Sequence, residues 1–278
     1  MVKQESIEIF KKAHAIVNQK DYTKPEMSDK IYAGIDVGTS SLVLVILNDK
    51  KTPLYVGLQE ANVVRDGLLV NYSEAISIYR KLLAEAEAIL NRPIQVMSGS
   101  VPPGTVGNNK SVISNIIQDL GIEVDQIIDE PVAASLALDI QNGHIIDVGG
   151  GTTGIATIVD GRLVHVLDEA TGGHHLSLVI SGNQGIRLEE AEQFKRKHAE
   201  ESELLAIVRP VIEKIGHIAE QAIIASQAPN DLSIYLVGGA SRIRGFESVL
   251  EKYLNRKVIK AIHPELVTPI GIALSNRN

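Results

Sequence analysis

Two similar α/β domains, each built on a mixed sheet, are the architecture this sequence predicts. Three observations predict it. The tetrapeptide Ile-Asp-Val-Gly occurs twice, at 35–38 and 146–149. The copies lie 147 − 36 = 111 residues apart, about one domain's length. A strand-strand-helix order follows each copy, as duplicated mixed-sheet domains require. Both copies close an apolar run and open into small residues and hydroxyls, as Gly34-Ile-Asp-Val-Gly-Thr-Ser40 and Ile146-Asp-Val-Gly-Gly-Gly-Thr-Thr153. A strand that delivers one Asp into a glycine turn makes half of a phosphate-metal site. Glycine lets backbone N–H groups approach phosphate oxygens, hydroxyls add donors, and the carboxylate holds hydrated Mg²⁺. Duplication predicts two domains facing one nucleotide across a cleft.

The elements follow in order. Ile7, Phe10, His14 and Val17 recur at helical spacing and predict an amphipathic helix over 6–18. It is read either as a helix docked on its own domain or as a detachable peptide for recruiting the protein to a partner. Residues 19–30 are polar, contain Pro25 and read as a linker. Strand 31–36 enters the first loop and 42–47 returns beside it. Segment 54–70 reads as further strands with a turn at Asp66-Gly67. Helix 73–90 carries Ile76, Tyr79, Leu82, Leu83, Ala86 and Leu90 on one face. A strand over 94–101 ends at Val101-Pro-Pro-Gly104, helix 109–120 stops at Gly121, and strand 123–128 leads into Glu130-Pro131. Pro131 suits the first turn of a helix over 131–140, where its missing N–H costs nothing. Strand 144–148 enters the second loop, and 155–159 with 162–167 forms a hairpin through Asp160-Gly161. Helices are predicted over 175–181, 188–200 and 203–227. Strand 232–237 runs into Gly238-Gly239, helix 245–255 follows, and 265–276 reads as a final helix. The domain division expected is 1–30 for helix and linker, 31–142 for the first domain and 143–278 for the second.

Composition excludes several classes. The chain has 278 residues, 44% hydrophobic and 22% charged, a globular profile with room for two cores. A net charge of −7, three Phe and no Trp argue against nucleic acid as a partner. Apolar runs such as Ser41-Leu-Val-Leu-Val-Ile-Leu47 are strand-length, far short of the ~20 residues of a membrane span, so no membrane insertion is expected. The absence of cysteine removes disulfides, thiolate zinc sites and cysteine-ligated clusters. No signal-peptide pattern opens the chain, and a cytoplasmic protein is expected.

Asp36 and Asp147 each end a strand at a glycine turn. One alone is an ordinary turn residue; as a matched pair they point to magnesium held through water. Glu130 reads two ways, as a helix N-terminal acid favoured by the macrodipole or as a carboxylate that orients an attacking water. In Thr171-Gly-Gly-His-His-Leu-Ser177, adjacent histidines do not share a helix face. Gly172 and Gly173 are expected to present N–H groups to a terminal phosphate at a helix N-terminus. Glu192, Lys195 and Arg196 on one helix read as a salt-bridged face. Gly238-Gly239-Ala-Ser-Arg242 either forms a tight strand-to-helix turn or lets the backbone pass close to a nucleobase, with Arg242 stacked on it.

Taken in order, these segments resemble the actin, heat-shock chaperone and sugar kinase ATPase superfamily. The match spans residues 31–276. Within it, Val63-Val-Arg-Asp-Gly67, Pro102-Pro-Gly-Thr105, Asp168-Glu-Ala-Thr-Gly-Gly-His-His175 and Leu188-Glu-Glu-Ala-Glu-Gln193 resemble the EutJ family of ethanolamine operons. The resemblance implies two duplicated actin-like ATPase (ribonuclease H-like) domains flanking a nucleotide cleft, with reduced outer subdomains. It implies ATP/ADP and Mg²⁺ as cofactors, with Asp36 and Asp147 flanking the metal. Gly38, Thr39, Ser40, Gly149, Gly150, Gly151, Thr152 and Thr153 would bind phosphates, with Glu130 the water-positioning carboxylate. Glu192, Lys195 and Arg196 match the adenosine-contacting helix of the heat-shock family. Gly238, Gly239, Ser241 and Arg242 match its adenine loop, and Glu265 lies near the nucleoside. The final helix, 268–278, matches the second connecting helix.

Two departures from the superfamily matter. The first loop has no phosphate-contacting lysine, so transition-state charge would fall to Mg²⁺ and backbone donors and hydrolysis would be slow. The peptide-binding domain of DnaK-type chaperones is also missing from the match. The function implied is a chaperone- or reactivase-like switch acting on a protein client, an ethanolamine-pathway enzyme or a microcompartment component, with microcompartment association of the protein itself. The rival reading is an oligomeric filament or scaffold protein of the FtsA, PilM or MreB kind. A small-molecule kinase is the third, and no residue stands out as the base for an acceptor hydroxyl.

Overall fold

A computed structural model describes residues 2–20, 30–65, 68–103 and 108–277 of the chain. The expected turn at Asp66-Gly67, most of the 19–30 linker, and Gly104 and Thr105 lie outside the described residues. The chain divides into two compact units, residues 2–140 with 266–278, and residues 141–265.

The first unit is a five-stranded sheet. Its strands are β1 (Ile31–Val37), β2 (Ser41–Asn48), β3 (Pro53–Glu60), β6 (Val96–Val101) and β7 (Glu123–Asp129), in the order β3-β2-β1-β6-β7. The pairs β1–β2 and β2–β3 are antiparallel, whereas β1–β6 and β6–β7 are parallel. A two-stranded ribbon, β4 (Val64–Arg65) with β5 (Leu68–Leu69), stands apart from the sheet. Helices α1 (Gln4–Ala15), α2 (Tyr72–Leu90), α3 (Asn108–Asp119), α4 (Glu130–Leu138) and α9 (Val267–Leu274) complete the unit.

Strand β2 is buried continuously from Leu42 to Asn48, the pattern of a strand covered on both faces. Ala33, Ile35, Leu42, Leu44 and Ile46 pack against Ile76, Tyr79 and Leu82 of α2 and Ile116 and Ile117 of α3. Helices α4 and α9 pack on each other, and α9 lies along β1. Their contact is a backbone contact, because a Cβ on Gly271 would lie 1.8 Å from the Ala133 carbonyl oxygen. Only glycine permits that approach. Residues 266–278, expected in the second domain, therefore belong to the first unit. The N-terminal helix, Gln4–Ala15, docks on β3 with Phe10 and Ala13 fully buried.

The second unit repeats the plan. Its strands β8 (Gly143–Val148), β9 (Thr153–Val159), β10 (Arg162–Glu169), β11 (Ile234–Val237) and β12 (Val258–Lys260) lie in the order β10-β9-β8-β11-β12. The pairs β8–β9 and β9–β10 are antiparallel, and β8–β11 and β11–β12 are parallel. Each sheet is thus a three-strand meander continued by two parallel strands. Helices α5 (Gly173–Gln184), α6 (Leu188–Lys197), α7 (Ser202–Ala225) and α8 (Phe246–Leu254) surround a core of Ile146, Val148, Leu176, Ile180, Val208, Ile212, Ile215 and Phe246.

Several sequence-based boundaries shift. Helix α6 stops at Lys197, three residues before the expected end, and α5 runs longer than 175–181 at both ends. The tail splits into a 3₁₀ turn at Pro264–Leu266 and α9. Strand β12 has no counterpart in the sequence reading, being three residues long and too short to show alternation.

Candidate functional site

In the second unit the parallel strands β8, β11 and β12 end on one edge of the sheet, and the candidate residues gather there. Asp147, next to last in β8, stands in register with Gly154 of β9 and Val237 of β11. The turn after it closes by donation from the Gly149 N–H to the Thr152 carbonyl, 3.0 Å. Among the described residues, the Gly150 and Gly151 N–H groups donate to no protein acceptor. Gly238 follows β11 with φ +89°, and a Cβ there would meet Asp147 Oδ1 at 2.3 Å. The adenine-loop candidate and the metal-site Asp are therefore in van der Waals contact. Only glycine satisfies both the positive φ and the contact.

The rest of that loop is fastened internally. The Gly238 N–H donates to the Pro264 carbonyl at 3.0 Å, which brings residues 263–265 alongside. Ser241 is buried and donates its hydroxyl to the Gly238 carbonyl, 2.7 Å, so its side chain shapes the 3₁₀ turn Gly239–Arg242. Arg242 is largely exposed and pairs with Glu265 at 3.9 Å. A Cβ on Gly239 would come within 3.7 Å of the Glu265 Cβ. Gly239 and the Arg242 side chain are thus exposed beside a mostly buried Glu265.

The Gly-Gly segment differs from expectation. The Gly173 N–H donates to the Gly149 carbonyl at 2.9 Å and the His174 N–H to the Gly150 carbonyl at 2.7 Å. The Gly172 N–H donates to His175 Nδ1 at 3.4 Å. Of the two donors expected to face a phosphate, Gly173 instead joins His174 in bracing the second loop from behind, where close stacking of the glycine backbones makes the loop carbonyls the nearest acceptors, and Gly172 turns to the His175 ring. Burial, with Lys214 and His174 nearby, lowers the His175 pKa, which favours the neutral ring that accepts from Gly172. Thr153 is likewise turned inward, its hydroxyl donating to the Thr171 carbonyl.

Helix α6 joins the same scaffold. The Lys195 ammonium is buried and donates to the Gly173 carbonyl at 2.8 Å, Ser177 Oγ at 2.9 Å and Glu192 Oε2 at 2.6 Å. Glu192 also accepts from Ser177 at 2.6 Å and from Arg196 at 3.0 Å. Burial alone would raise the Glu192 pKa, but Lys195, Ser177 and Arg196 hold it at about 2. Burial lowers that of Lys195, against the pull of Glu192. The expected salt-bridged face is therefore an inward-facing network on the Gly-Gly segment.

In the first unit, the parallel strands β1, β6 and β7 likewise end on one edge. Asp36 is next to last in β1, as Asp147 is in β8, and the loop repeats the same closure, Gly38 N–H to Ser41 carbonyl at 3.0 Å. Thr39 and Ser40 sit partly exposed in that loop. The Tyr79 hydroxyl donates to the Asp36 carbonyl at 2.6 Å. Burial first, then the Asp36 charge, pushes the Tyr79 pKa well above its ordinary value, so it stays a donor. Glu130 opens α4 at the end of β7, with Pro131 behind it in the first turn.

The sequence reading named three residues of this scaffold, Tyr79, Ser177 and Asp168, without their roles in it. Asp168 stands in register with Gly154, which is itself in register with Asp147, and accepts from the Thr152 hydroxyl. Burial raises its pKa, opposed by that hydrogen bond. Counting back from the Asp160-Gly161 turn would place Leu167 opposite Gly154. A bulge between Leu163 and His165 shifts the register by one and brings in Asp168.

Comparison with known proteins agrees with this architecture. Residues 144–271 match the family described as "Cell division protein FtsA". The ethanolamine utilization protein EutJ of Salmonella typhimurium is 35% identical over 96% of this chain and 92% of its own, and that of Escherichia coli 37% over 89% and 86%. The crystal structure of EutJ from Carboxydothermus hydrogenoformans superposes with a TM-score of 0.89 at 38% identity, covering 98% of this chain and 99% of that one. MreB5 of Spiroplasma citri bound to ADP shares the fold, with a TM-score of 0.71 at 16% identity, covering 88% and 96%. With its two five-stranded mixed sheets of actin-like ATPase type, the chain belongs to the EutJ family of ethanolamine utilization proteins.

Proposed function

We propose that this chain is a nucleotide-binding switch of ethanolamine utilization that binds Mg·ATP, hydrolyses it slowly and acts on a protein client. The observation that carries this reading is the loop built twice, with Asp36 and Asp147 at matching strand positions and the same N–H to carbonyl closure behind each. Unrelated turns would have no reason to share strand position, sheet order and closure together.

The residues present fit the group. Gly150 and Gly151 offer backbone donors to phosphate oxygens. Asp147, pressed against Gly238, is a hard oxygen ligand suited to a hydrated divalent ion. Exposed Gly239 and Arg242, with Glu265 beside them, offer the surface proposed for the nucleoside. Bound Mg·ATP supplies the phosphoryl group and its counter-charge. The chain orients the phosphates through the braced second loop, and Glu130 orients the attacking water. The client proposed is an ethanolamine-pathway enzyme or a microcompartment component, in line with the ethanolamine utilization named in the relatives' descriptions.

The test is phosphate release alongside sedimentation. Slow, magnesium-dependent release that falls at least about tenfold in Glu130→Gln, with nucleotide binding retained, supports the reading. Unchanged release in that variant removes Glu130 from its role. ATP-dependent pelleting above a critical concentration would place the protein instead with the filament and scaffold proteins.

A further inference from the structure

The two sheets have four edge strands, β3, β7, β10 and β12, and they are treated differently. Strand β7 carries Glu123, Asp125 and Asp129. Strand β10 carries Arg162, Asp168 and Glu169 and is bulged at Leu163/His165. Strand β12 has only three residues and ends in Lys260. Charges, bulges and shortness are the devices by which proteins keep sheet edges from pairing with other chains. Strand β3 ends in Glu60, and its pairing with β2 shifts register at Leu54, beside Pro53. Between that bulge and Glu60 the stretch Tyr55–Gln59 is uncharged and regularly paired, and the strand is buried from Pro53 to Gly57 without a break.

That uncharged stretch is the one the chain covers with its own N-terminal segment. Val17 bridges Val56 in parallel. The Asn18 N–H donates to the Val56 carbonyl at 2.8 Å, Asn18 Oδ1 accepts from the Leu58 N–H at 2.8 Å, and Asn18 Nδ2 donates to the Leu58 carbonyl at 2.9 Å. One asparagine thus satisfies three outward backbone groups of β3, in a left-handed conformation (φ 56°) that asparagine tolerates. Helix α1 anchors it through Ile9, Phe10 and Ala13. Surface ion pairs, Lys3 with Asp139 and Lys20 with Glu85, lie at the two ends of the segment, the weakest kind of tie.

We infer that residues 4–18 form a displaceable cap over a strand-addition site, and that the occupant of the uncovered edge is β3 of a second copy of this chain. Antiparallel pairing of two β3 strands about a twofold axis is self-complementary. It sets no like charges opposite one another between Pro53 and Gln59, which matters for a chain of net charge −7. The outward groups now bonded to Asn18 are those a strand would use.

The test compares full-length wild type with Phe10→Glu/Asn18→Ala, by light-scattering mass across protein concentration and by amide exchange at Leu58. The expected result is a concentration-dependent doubling of mass relative to wild type, with Leu58 protection rising as the dimer forms. Adding Leu58→Pro, which removes an outward N–H bonded only to Asn18, returns the mass to the wild-type value. Asn18→Ala alone leaves the buried face of α1 intact and shows the same doubling at higher concentration, should the double variant not fold. A wild-type mass in Asn18→Ala with fast exchange at Leu58 at every concentration overturns the inference. So does a doubled mass that survives Leu58→Pro.

Discussion

Gly238 shows how one residue can tie two halves of a site together. Its φ of +89° and the 2.3 Å between a Cβ there and Asp147 Oδ1 leave no room for alanine. Gly238→Ala is expected to cost about 1–3 kcal/mol of stability, measured by urea unfolding, and to weaken nucleotide binding by displacing Asp147. The buried Lys195–Glu192 pair gives a second prediction. Glu192→Gln leaves the Lys195 ammonium without its counter-ion and should cost about 2 kcal/mol, moderated because Glu192 keeps some contact with water. The Glu192 pKa, held at about 2 against an ordinary 4.5, means that this carboxylate stabilises the fold above pH 4.5 and loses that effect as pH falls toward 2. The Gln variant should therefore show a flatter acid limb. His144 acts in the same direction at higher pH. Burial, with Arg256 nearby, lowers its pKa from 6.5 to about 4, so the unfolded chain takes up a proton that the folded one refuses. Stability is full above pH 6.5 and declines between 6.5 and 4, by about 3 kcal/mol at most. A urea midpoint that does not fall between pH 7 and pH 5 would refute the neutral, buried His144.

At this scale the sequence showed the residues better than their tasks. Asp36, Asp147 and Gly238 stood out because a strand running into glycine is a local signal. That Lys195 turns inward to the Gly173 carbonyl was hidden, because a helix sequence does not say which neighbour its charged face meets.

Among the elements, α4 and α9 make the contact most sensitive to change. With 1.8 Å between a Cβ on Gly271 and the Ala133 oxygen, Gly271→Ala must part the two helices. Overpacking of this kind costs about 1–3 kcal/mol when side chains can yield. Here the neighbour is backbone, so the loss belongs at or above the top of that range, and thermal unfolding would read it. Nearly every helix and strand was legible from periodicity and punctuation, including the Pro131 start of α4 and the Asp160-Gly161 hairpin. The register of that hairpin was not, because the bulge at Leu163/His165 carries no residue signature. Nor was β12, whose three residues form a strand only because β11 lies beside them.

For the whole molecule, the duplication read from two tetrapeptides extends to the full strand order, β3-β2-β1-β6-β7 against β10-β9-β8-β11-β12. The halves are not divided as the sequence suggested. Residues 141–265 are continuous and have their own core, whereas the first unit needs 266–278 from the far end of the chain. Sequence order places the tail beside the second half, and only the packing of α9 on β1 and α4 reveals otherwise. A fragment of residues 141–265 is therefore expected to fold alone, with cooperative thermal unfolding. Ending the chain at Glu265 should unfold the first unit, since Val267, Ile270 and Ile272 each contribute about 1.5–3 kcal/mol by burial. Circular dichroism of the fragment and of the shortened chain would decide it.

The proposed switch depends on the duplicated Asp loop binding nucleotide through magnesium. Calorimetric titration of Mg·ATP into the full-length protein, with Asp147→Asn in parallel, tests it most directly. Saturable binding is expected that requires magnesium and weakens by at least about tenfold, or about 1.4 kcal/mol, in the variant. Absence of binding to the wild type, or equal affinity in the variant with or without magnesium, would contradict it.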